Sequence, residues 1–322
     1  MSVSDVQTGT AAAAATTPAA TVRHSLLADY AELFKVRVTL MIVITGGAGF
    51  CLGSLRSGIS PFNPALLHAL AGIAIVSAGA SALNQVLERR IDALMHRTRN
   101  RPLAAGRFSL AHGILMGFAT IILGSLWLAQ SNLLTGFLTL LTAIGYVAIY
   151  TPLKRITTLN TFIGAFPGAM PPLLGWTAAR GLIEWPAVAL FAILFVWQFP
   201  HFMAVGWMNR DEYASAGIRV LPVTEPDGRS TVFYALAYAV LMVPTSLAPY
   251  WLHMTTWPYA LAATLLSIGY LAYTIRFARI TRTPPDVSYT LARTLLKVSV
   301  IYLPLLLASM MLFAKGRIFQ LP

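Results

Sequence analysis

The sequence predicts an all-α protein that crosses a membrane about nine times, and three observations support this. Hydrophobic residues make up 57% of the 322 residues, and the mean hydropathy is +0.69. Charged residues account for only 11%, well below the roughly 25% of an ordinary soluble domain. The apolar residues also fall in runs of about 20, which is the length that a helix needs to cross a bilayer.

Nine apolar runs are candidate spans. They cover 38–55, 64–86, 109–129, 132–150, 159–178, 185–205, 231–252, 256–275 and 295–314. The short gap between the third and fourth runs predicts a tight hairpin. A break in the fifth run is expected near Pro171, because proline cannot donate a helical hydrogen bond. Residues 25–36 predict a short interfacial helix with Leu26, Tyr30, Leu33 and Phe34 on one face.

The distribution of positive charge predicts the orientation. With nine spans, 19 of the 23 Lys and Arg residues fall on the side of the N-terminus, and the other four are Arg56, Arg180, Lys315 and Arg317. Because basic residues collect on the cytoplasmic side, the N-terminus is expected to be cytoplasmic. The net charge of +12 then reflects membrane topology, and no nucleic-acid partner is expected.

The N-terminal segment is expected to be a tail outside the membrane domain. Residues 1–22 are rich in Ala and Thr, so we expect disorder over 1–24 and a single membrane domain over 25–322. The segment has neither the apolar core of a signal peptide nor the arginines of a mitochondrial transit peptide, which favours a bacterial cytoplasmic (inner) membrane. The single cysteine, Cys51, excludes an internal disulfide and a cysteine-based zinc motif.

One helix end carries three oxygen-bearing side chains at four-residue spacing. Asn84, Glu88 and Asp92 fall on one face of a helix. Oxygen ligands suit a hard cation such as Mg²⁺, and the following Arg97 and Arg101 suit a phosphate group. The pattern predicts a site for a metal-bound diphosphate at the membrane surface. A solvated helix end with surface ion pairs is the alternative interpretation.

A second acidic pair, Asp211 and Glu212, follows the sixth run on the same side of the membrane. It could hold another Mg²⁺ against the same diphosphate. An ordinary polar loop would contain the same residues.

Two further positions carry candidate chemistry. Lys154 is placed to help a diphosphate leave, although it could be only a topology signal, and Tyr150 could stabilise an allylic cation through its ring. His201 is either a hydrogen-bonded structural residue or an iron ligand.

The positions of the acidic residues favour an enzyme. They cluster on the cytoplasmic side, and the middles of the spans are nearly free of charge. Transporters tend to place ionisable groups near the middle of the bilayer. A transporter or an assembly factor of a respiratory complex remains the alternative class, but it leaves the clustered acids unexplained.

Several long strings resemble the UbiA-type intramembrane prenyltransferases. They are NQVLERRIDALMHRTRNRPL at 84–103, YTPLKRIT at 150–157, NTFIGAFPGAMPPLLGW at 160–176, WQFPHF at 197–202 and DEYASAGIRVLP at 211–222. The resemblance covers roughly residues 28–315. It departs from the family pattern at Glu88, where an aspartate is usual, and at Val36, where many members have proline between two basic residues.

The resemblance implies both a fold and a reaction. The fold is all-helical, with nine spans around a central cavity and a polar cap on the cytoplasmic side. The reaction joins the farnesyl group of farnesyl diphosphate to a vinyl group of haem b with addition of water, and it uses Mg²⁺. The implied partners are the lipid bilayer and a haem A synthase or terminal oxidase assembly. Another aromatic acceptor, such as 4-hydroxybenzoate, is the alternative within the same superfamily.

The resemblance also implies roles for individual residues. The Mg²⁺ ligands would be Asn84, Glu88, Asp92, Asp211 and Glu212. The diphosphate would contact Lys35, Arg37, Arg97, Arg101 and Lys154. Tyr150 would face the reacting allylic carbon, and His201 would contact the haem.

Overall fold

The computed structural model describes residues 25–315, so the expected disorder of 1–24 lies outside the described residues. Within the described part, the regular secondary structure is helical, and the only extended pairing is an isolated bridge between Thr255 and Ala314. The predicted all-α fold class is therefore confirmed.

Thirteen α-helices lie in the described part of the chain. In chain order they are α1 (Leu26–Leu33), α2 (Val36–Arg56), α3 (Pro64–Asp92), α4 (Leu110–Ala129), α5 (Leu133–Ile144), α6 (Thr151–Leu153), α7 (Asn160–Arg180), α8 (Trp185–Met208), α9 (Arg210–Ser215), α10 (Leu221–Thr224), α11 (Arg229–Trp251), α12 (Trp257–Phe277) and α13 (Pro285–Leu312). A π-helix (Gly145–Tyr150) joins α5 to α6, and a 3₁₀ helix (Ala278–Arg282) follows α12.

Eight helical segments in residues 25–315 are long and apolar enough to cross a membrane, so this is a multi-pass membrane protein. Each coincides with one of the nine predicted runs, although α13 begins at Pro285, ten residues before the predicted start. The remaining run forms α7, which has 21 residues but is not among the eight. The count of nine spans therefore stays a prediction.

The expected break at Pro171 is wrong, because α7 runs without interruption through Pro167, Pro171 and Pro172. Helix α2 packs against it backbone to backbone. A Cβ atom added to Gly175 would collide with the carbonyl oxygen of Gly46. Small residues permit such close approach between membrane helices, and a tightly packed neighbour allows proline within a helix.

Helix α3 is held in place by close packing against α4. A side chain on Gly79 would meet the backbone of Gly117, and a side chain on Gly117 would meet Leu83. The α3 face that carries the candidate ligands is buried. Asn84, Glu88 and Asp92 all count among the buried polar residues.

The short helix α1 forms where an interfacial helix was predicted, and it is fastened to α3 and to the loop after it. Leu33 is completely buried, but Leu26 is 65% exposed, so the expected common apolar face is only partly buried. Gln85 of α3 donates to the carbonyl oxygens of Glu32 and Leu33 at 2.8 and 2.9 Å. The chain then turns into α2 at Lys35, whose φ of 45° lies in the left-handed region.

Candidate functional site

A polar cavity of about 280 Å³ lies where the ends of α3, α7 and α8 meet the connecting segments. Seven of the sequence-predicted residues line it: Lys35, Glu88, Asp92, Arg97, Arg101, Tyr150 and Lys154. Segments that are 49 or more residues apart in sequence thus supply one cavity, because α2, α3 and the α6–α7 connection converge here.

The three predicted side chains lie on one face of α3, and they are buried more deeply than the side chains of a solvated helix end would be. The exposed fractions of Asn84, Glu88 and Asp92 are 0%, 7% and 1%. Buried carboxylates require a partner of opposite charge, because burial disfavours the charged form. The alternative of a freely solvated helix end does not describe this arrangement.

Each of these three side chains is paired with one cation from another segment. Lys35 Nζ donates to Asn84 Oδ1 at 2.6 Å, and Lys154 Nζ donates to Glu88 Oε1 at 2.7 Å. Arg101 Nη1 lies 2.9 Å from both carboxylate oxygens of Asp92. The result is a row of three oxygen-bearing groups beside a row of three cations.

The two lysines differ in their electrostatic surroundings. Burial lowers the pKa of Lys35 to about 7, and repulsion from Arg101 and Lys154 acts in the same direction. Burial also acts to lower the pKa of Lys154, but Tyr150 and Glu88 outweigh it, so the pKa lies above its usual value. Lys154 is therefore the firmly charged member of the pair, and an anion in the cavity would relieve the mutual repulsion of the three cations.

Tyr150 ends the π-helix and lies at the edge of the polar cavity. π-Helical turns are frequent at functional sites. The Lys154 ammonium lies 4.8 Å from the centre of the Tyr150 ring, and the Tyr146 ring packs 5.5 Å away, centre to centre. The ring has room because residue 164 is glycine: a Cβ atom there would overlap the ring of Tyr150.

A second, apolar cavity of about 360 Å³ continues from the first into the helical bundle. Tyr150, Gly164 and Phe202 line both cavities and form the neck between them. The walls of the apolar cavity come from α2, α3, α5, α7 and α8. The two cavities together offer space for a molecule with an anionic head and a hydrocarbon tail.

Five candidate residues do not line either cavity, and the first of them, Asn84, is completely buried. Arg37 is exposed, and the side chain of Asp211 is 98% exposed and lies 3.8 Å from Arg210. Glu212 has one buried carboxylate oxygen without a hydrogen-bond partner. His201 faces α13 instead, where its Nδ1 lies 2.8 Å from Ser299 Oγ. The roles of these five residues, like those of the residues that line the cavities, stay predictions.

The sequence interpretation missed three features of the site. Gly164 looks like a packing residue in sequence, but it makes room for Tyr150. Tyr213 lines the polar cavity, and its hydroxyl lies 3.5 Å from Arg97. Asp29 pairs with Arg107 at 2.8 Å and thereby fastens α1 to the loop that carries Arg101. Of the three residues, only Tyr213 could have been found from the sequence, because it directly follows the second acidic pair.

Replacing Gly164 with alanine is expected to lower the turnover number by roughly 10- to 100-fold, because the added methyl group displaces Tyr150 from the neck. The measurement is the steady-state rate of the transfer reaction that the family resemblance implies, together with thermal unfolding. Gly269→Ala is the matched control, since a Cβ atom at that position meets nothing within 4 Å. Full turnover in a folded Gly164→Ala protein would contradict the importance of the Tyr150 position.

The residues around the polar cavity fit Mg²⁺ only together with a substrate. Within residues 25–315, no group of three or more His, Cys, Asp or Glu side chains could hold a metal ion by itself. Mg²⁺ commonly binds one or two carboxylates and completes its shell with substrate phosphates and water. Glu88, Asp92 and the amide of Asn84 provide such an incomplete, all-oxygen donor set on one face of α3.

The sequence is similar to that of a known protein family and to that of a curated protein. The model of the UbiA prenyltransferase family matches residues 40–314. The protoheme IX farnesyltransferase of Koribacter versatilis is 49% identical over 290 residues, which are 89% of this chain and 94% of that one.

Two solved structures share the fold. The structure of a digeranylgeranylglyceryl phosphate synthase has a TM-score of 0.72 at 19% identity and covers 88% of this chain and 96% of its own. A UbiA homologue from Archaeoglobus fulgidus bound to GPP and Mg²⁺ has a TM-score of 0.59 at 16% identity, covering 88% and 99%.

Proposed function

The chain belongs to the UbiA prenyltransferase family, and we propose that it transfers the farnesyl group of farnesyl diphosphate to a vinyl group of haem b. The observation that carries the proposal is the two-part cavity, with paired acids and cations in one part, apolar walls in the other and Tyr150 between them. The 49% identity to a protoheme IX farnesyltransferase supports the choice of haem as acceptor.

In this proposal Asn84, Glu88 and Asp92 hold Mg²⁺, with Asp211 and Glu212 as candidate ligands of a second ion. The bound ion supplies positive charge that neutralises the diphosphate. The Mg²⁺ in the Archaeoglobus fulgidus homologue supports this assignment by its shared fold. The orphan oxygen of Glu212 supports a cation beside the second acidic pair, because a buried, unpartnered carboxylate oxygen is costly.

The cations of the polar cavity bind and stabilise the leaving group. Lys35, Arg97, Arg101 and Lys154 line the cavity and would contact the diphosphate oxygens. As the carbon–oxygen bond of the donor breaks, its electron pair goes to the diphosphate, whose charge grows. Groups already fixed around that charge stabilise the transition state without further rearrangement. Arg37 is exposed, so it would attract the diphosphate toward the cavity by long-range electrostatics.

The farnesyl group is left as an allylic cation at the neck between the cavities. Tyr150 lines both cavities, and the π electrons of its ring would stabilise this cation. The vinyl π electrons of haem then form the new carbon–carbon bond. Water captures the resulting cation and loses a proton, so the product carries a hydroxyethylfarnesyl group and diphosphate is released.

The acceptor would lie against the apolar side of the polar cavity. That side is formed by residues of α8 and of the segment before α11, namely Met203, Val205, Gly206, Val220 and Pro222. An apolar part of the lining in the same cavity as the carboxylates would suit a planar macrocycle and limit the access of water. His201 stays a candidate haem contact, one helical position from Phe202, which lines both cavities.

The proposed location is a bacterial cytoplasmic membrane with the N-terminus in the cytoplasm. The positive charges support it, since 19 of 23 Lys and Arg residues fall on that side of the predicted spans. The product would pass to a haem A synthase or to a terminal oxidase during assembly.

The test is an assay of the purified protein in detergent with haem b, farnesyl diphosphate and Mg²⁺, read by mass spectrometry. The expected product is haem with the added mass of a farnesyl group and one water, and its formation should stop when Mg²⁺ is removed. Prenylation of 4-hydroxybenzoate with unchanged haem would retain the prenyltransferase and reject the acceptor. No transfer to either acceptor by folded protein would contradict the proposal.

A further inference from the structure

We propose that Ile73 and Leu174 form the floor of the apolar cavity and limit the prenyl donor to three isoprene units. The inference rests on the proposed function, because it assigns the specificity of the same site for its donor. Both residues line the apolar cavity, and they are only 2% and 3% exposed. Neither belongs to the polar cavity where the diphosphate would bind.

The floor is closed by a second layer of side chains. Leu128, which is completely buried and lines neither cavity, packs with Ile73 and Leu174 in one apolar cluster, and Ile42, which also lines the apolar cavity, packs against that cluster from α2. On the α2 side, a Cβ atom added to Gly46 would approach Ile73 Cδ1 to 3.2 Å. Dense packing of this kind cannot accept extra chain atoms without strain.

The depth of the apolar cavity matches a farnesyl chain. Gly164 lies at the neck and Leu174 at the floor, ten residues apart on α7, which corresponds to about 15 Å. Along α3, the eight residues from Ser81 to Ile73 span about 12 Å. An extended chain of three isoprene units measures roughly 14 Å, since its zigzag is built from bonds of about 1.5 Å. A fourth unit would exceed this depth.

A substitution at Ala143 tests the proposal in the opposite direction, because it should favour a shorter prenyl donor. It lines the apolar cavity from α5 and is 3% exposed. It lies seven residues from Tyr150, or about 10 Å along the helix, which is near the level of the third isoprene unit. A large side chain at this position should therefore exclude the end of a farnesyl chain and still admit a geranyl chain.

The experiment is a competition between geranyl, farnesyl and geranylgeranyl diphosphates at equal concentrations, with haem b and Mg²⁺ and with products resolved by mass spectrometry. Wild-type protein should favour farnesyl over geranylgeranyl transfer by at least about 10-fold. Leu174→Ala and Ile73→Ala should each shift that ratio at least about 10-fold toward geranylgeranyl. Ala143→Phe should shift it toward geranyl. A ratio measured in one tube is independent of the folded fraction.

The matched control is Leu190→Ala, since Leu190 is 1% exposed and lines neither cavity, so its ratio should equal that of wild type. Equal use of farnesyl and geranylgeranyl donors by wild type would overturn the inference, as would unchanged ratios in both floor variants. Competitive binding of the three diphosphates in the presence of Mg²⁺ and without haem reads the same preference. If haem transfer failed, the proposed function would be rejected. The binding competition without haem would still show whether Ile73 and Leu174 limit the length of the donor.

Discussion

Replacing Asp92 with asparagine is expected to lower prenyl transfer by at least about 100-fold, even at saturating Mg²⁺. The change keeps the size of the side chain and removes its charge. Asp92 is 1% exposed and is held by two contacts of 2.9 Å from Arg101, so no other carboxylate can take its place without rearrangement. The measurement is the turnover number as a function of Mg²⁺ concentration, with thermal unfolding as the check of the fold.

Asp286→Asn is the matched control for this change. Asp286 lies in the first turn of α13 and is exposed, so its turnover number should remain that of wild type. If Asp92→Asn retained full turnover at saturating Mg²⁺, the assignment of the α3 face as the metal site would be wrong. A fall in turnover that more Mg²⁺ partly reverses would fit the loss of one ligand.

Replacing Lys154 with methionine is expected to lower the turnover number by roughly 100- to 1000-fold. The ammonium lies 2.7 Å from Glu88 and 4.8 Å from the centre of the Tyr150 ring, so it can act on the leaving group and also position the tyrosine. Its loss also leaves Glu88 without its cation in a buried position. The measurement is the turnover number and the KM for farnesyl diphosphate.

Two further variants make the Lys154 result specific. Lys154→Arg keeps the charge and should recover part of the turnover number. Lys297→Met removes an exposed lysine of α13 and should leave it unchanged. Equal turnover in wild type and Lys154→Met would exclude Lys154 from the reaction. Equal losses in Lys154→Met and Lys297→Met would point to a general effect of net charge.

The fold class and one row of the site could be predicted from the sequence. Apolar runs of about 20 residues predict helices, because a bilayer leaves backbone polar groups no other partner. The spacing of Asn84, Glu88 and Asp92 predicts a shared face, because helical periodicity is local. The charges of Arg101 and Lys154 suggested phosphate contacts in the sequence, and the family resemblance added Lys35 to the same site.

The pairing of those residues depends on the tertiary structure. Lys35 lies 49 residues before Asn84, and Lys154 lies 66 residues after Glu88, so no local pattern contains these contacts. They form because α2, α3 and α6 converge at one end of the bundle. The second acidic pair shows the converse: Asp211 is as distinctive in sequence as Asp92, yet its side chain is 98% exposed.

The sequence alone determined that this protein is helical, lies in a membrane and has a regularly spaced acidic face, since each property depends on composition or on local periodicity. Only the tertiary structure decided that α7 continues through its prolines and that Gly164 makes room for Tyr150. It also decided that Ile73 and Leu174, which are far apart in sequence, line one apolar cavity. These features depend on contacts between helices that are distant in sequence, and the local pattern of neither helix determines how their surfaces fit together.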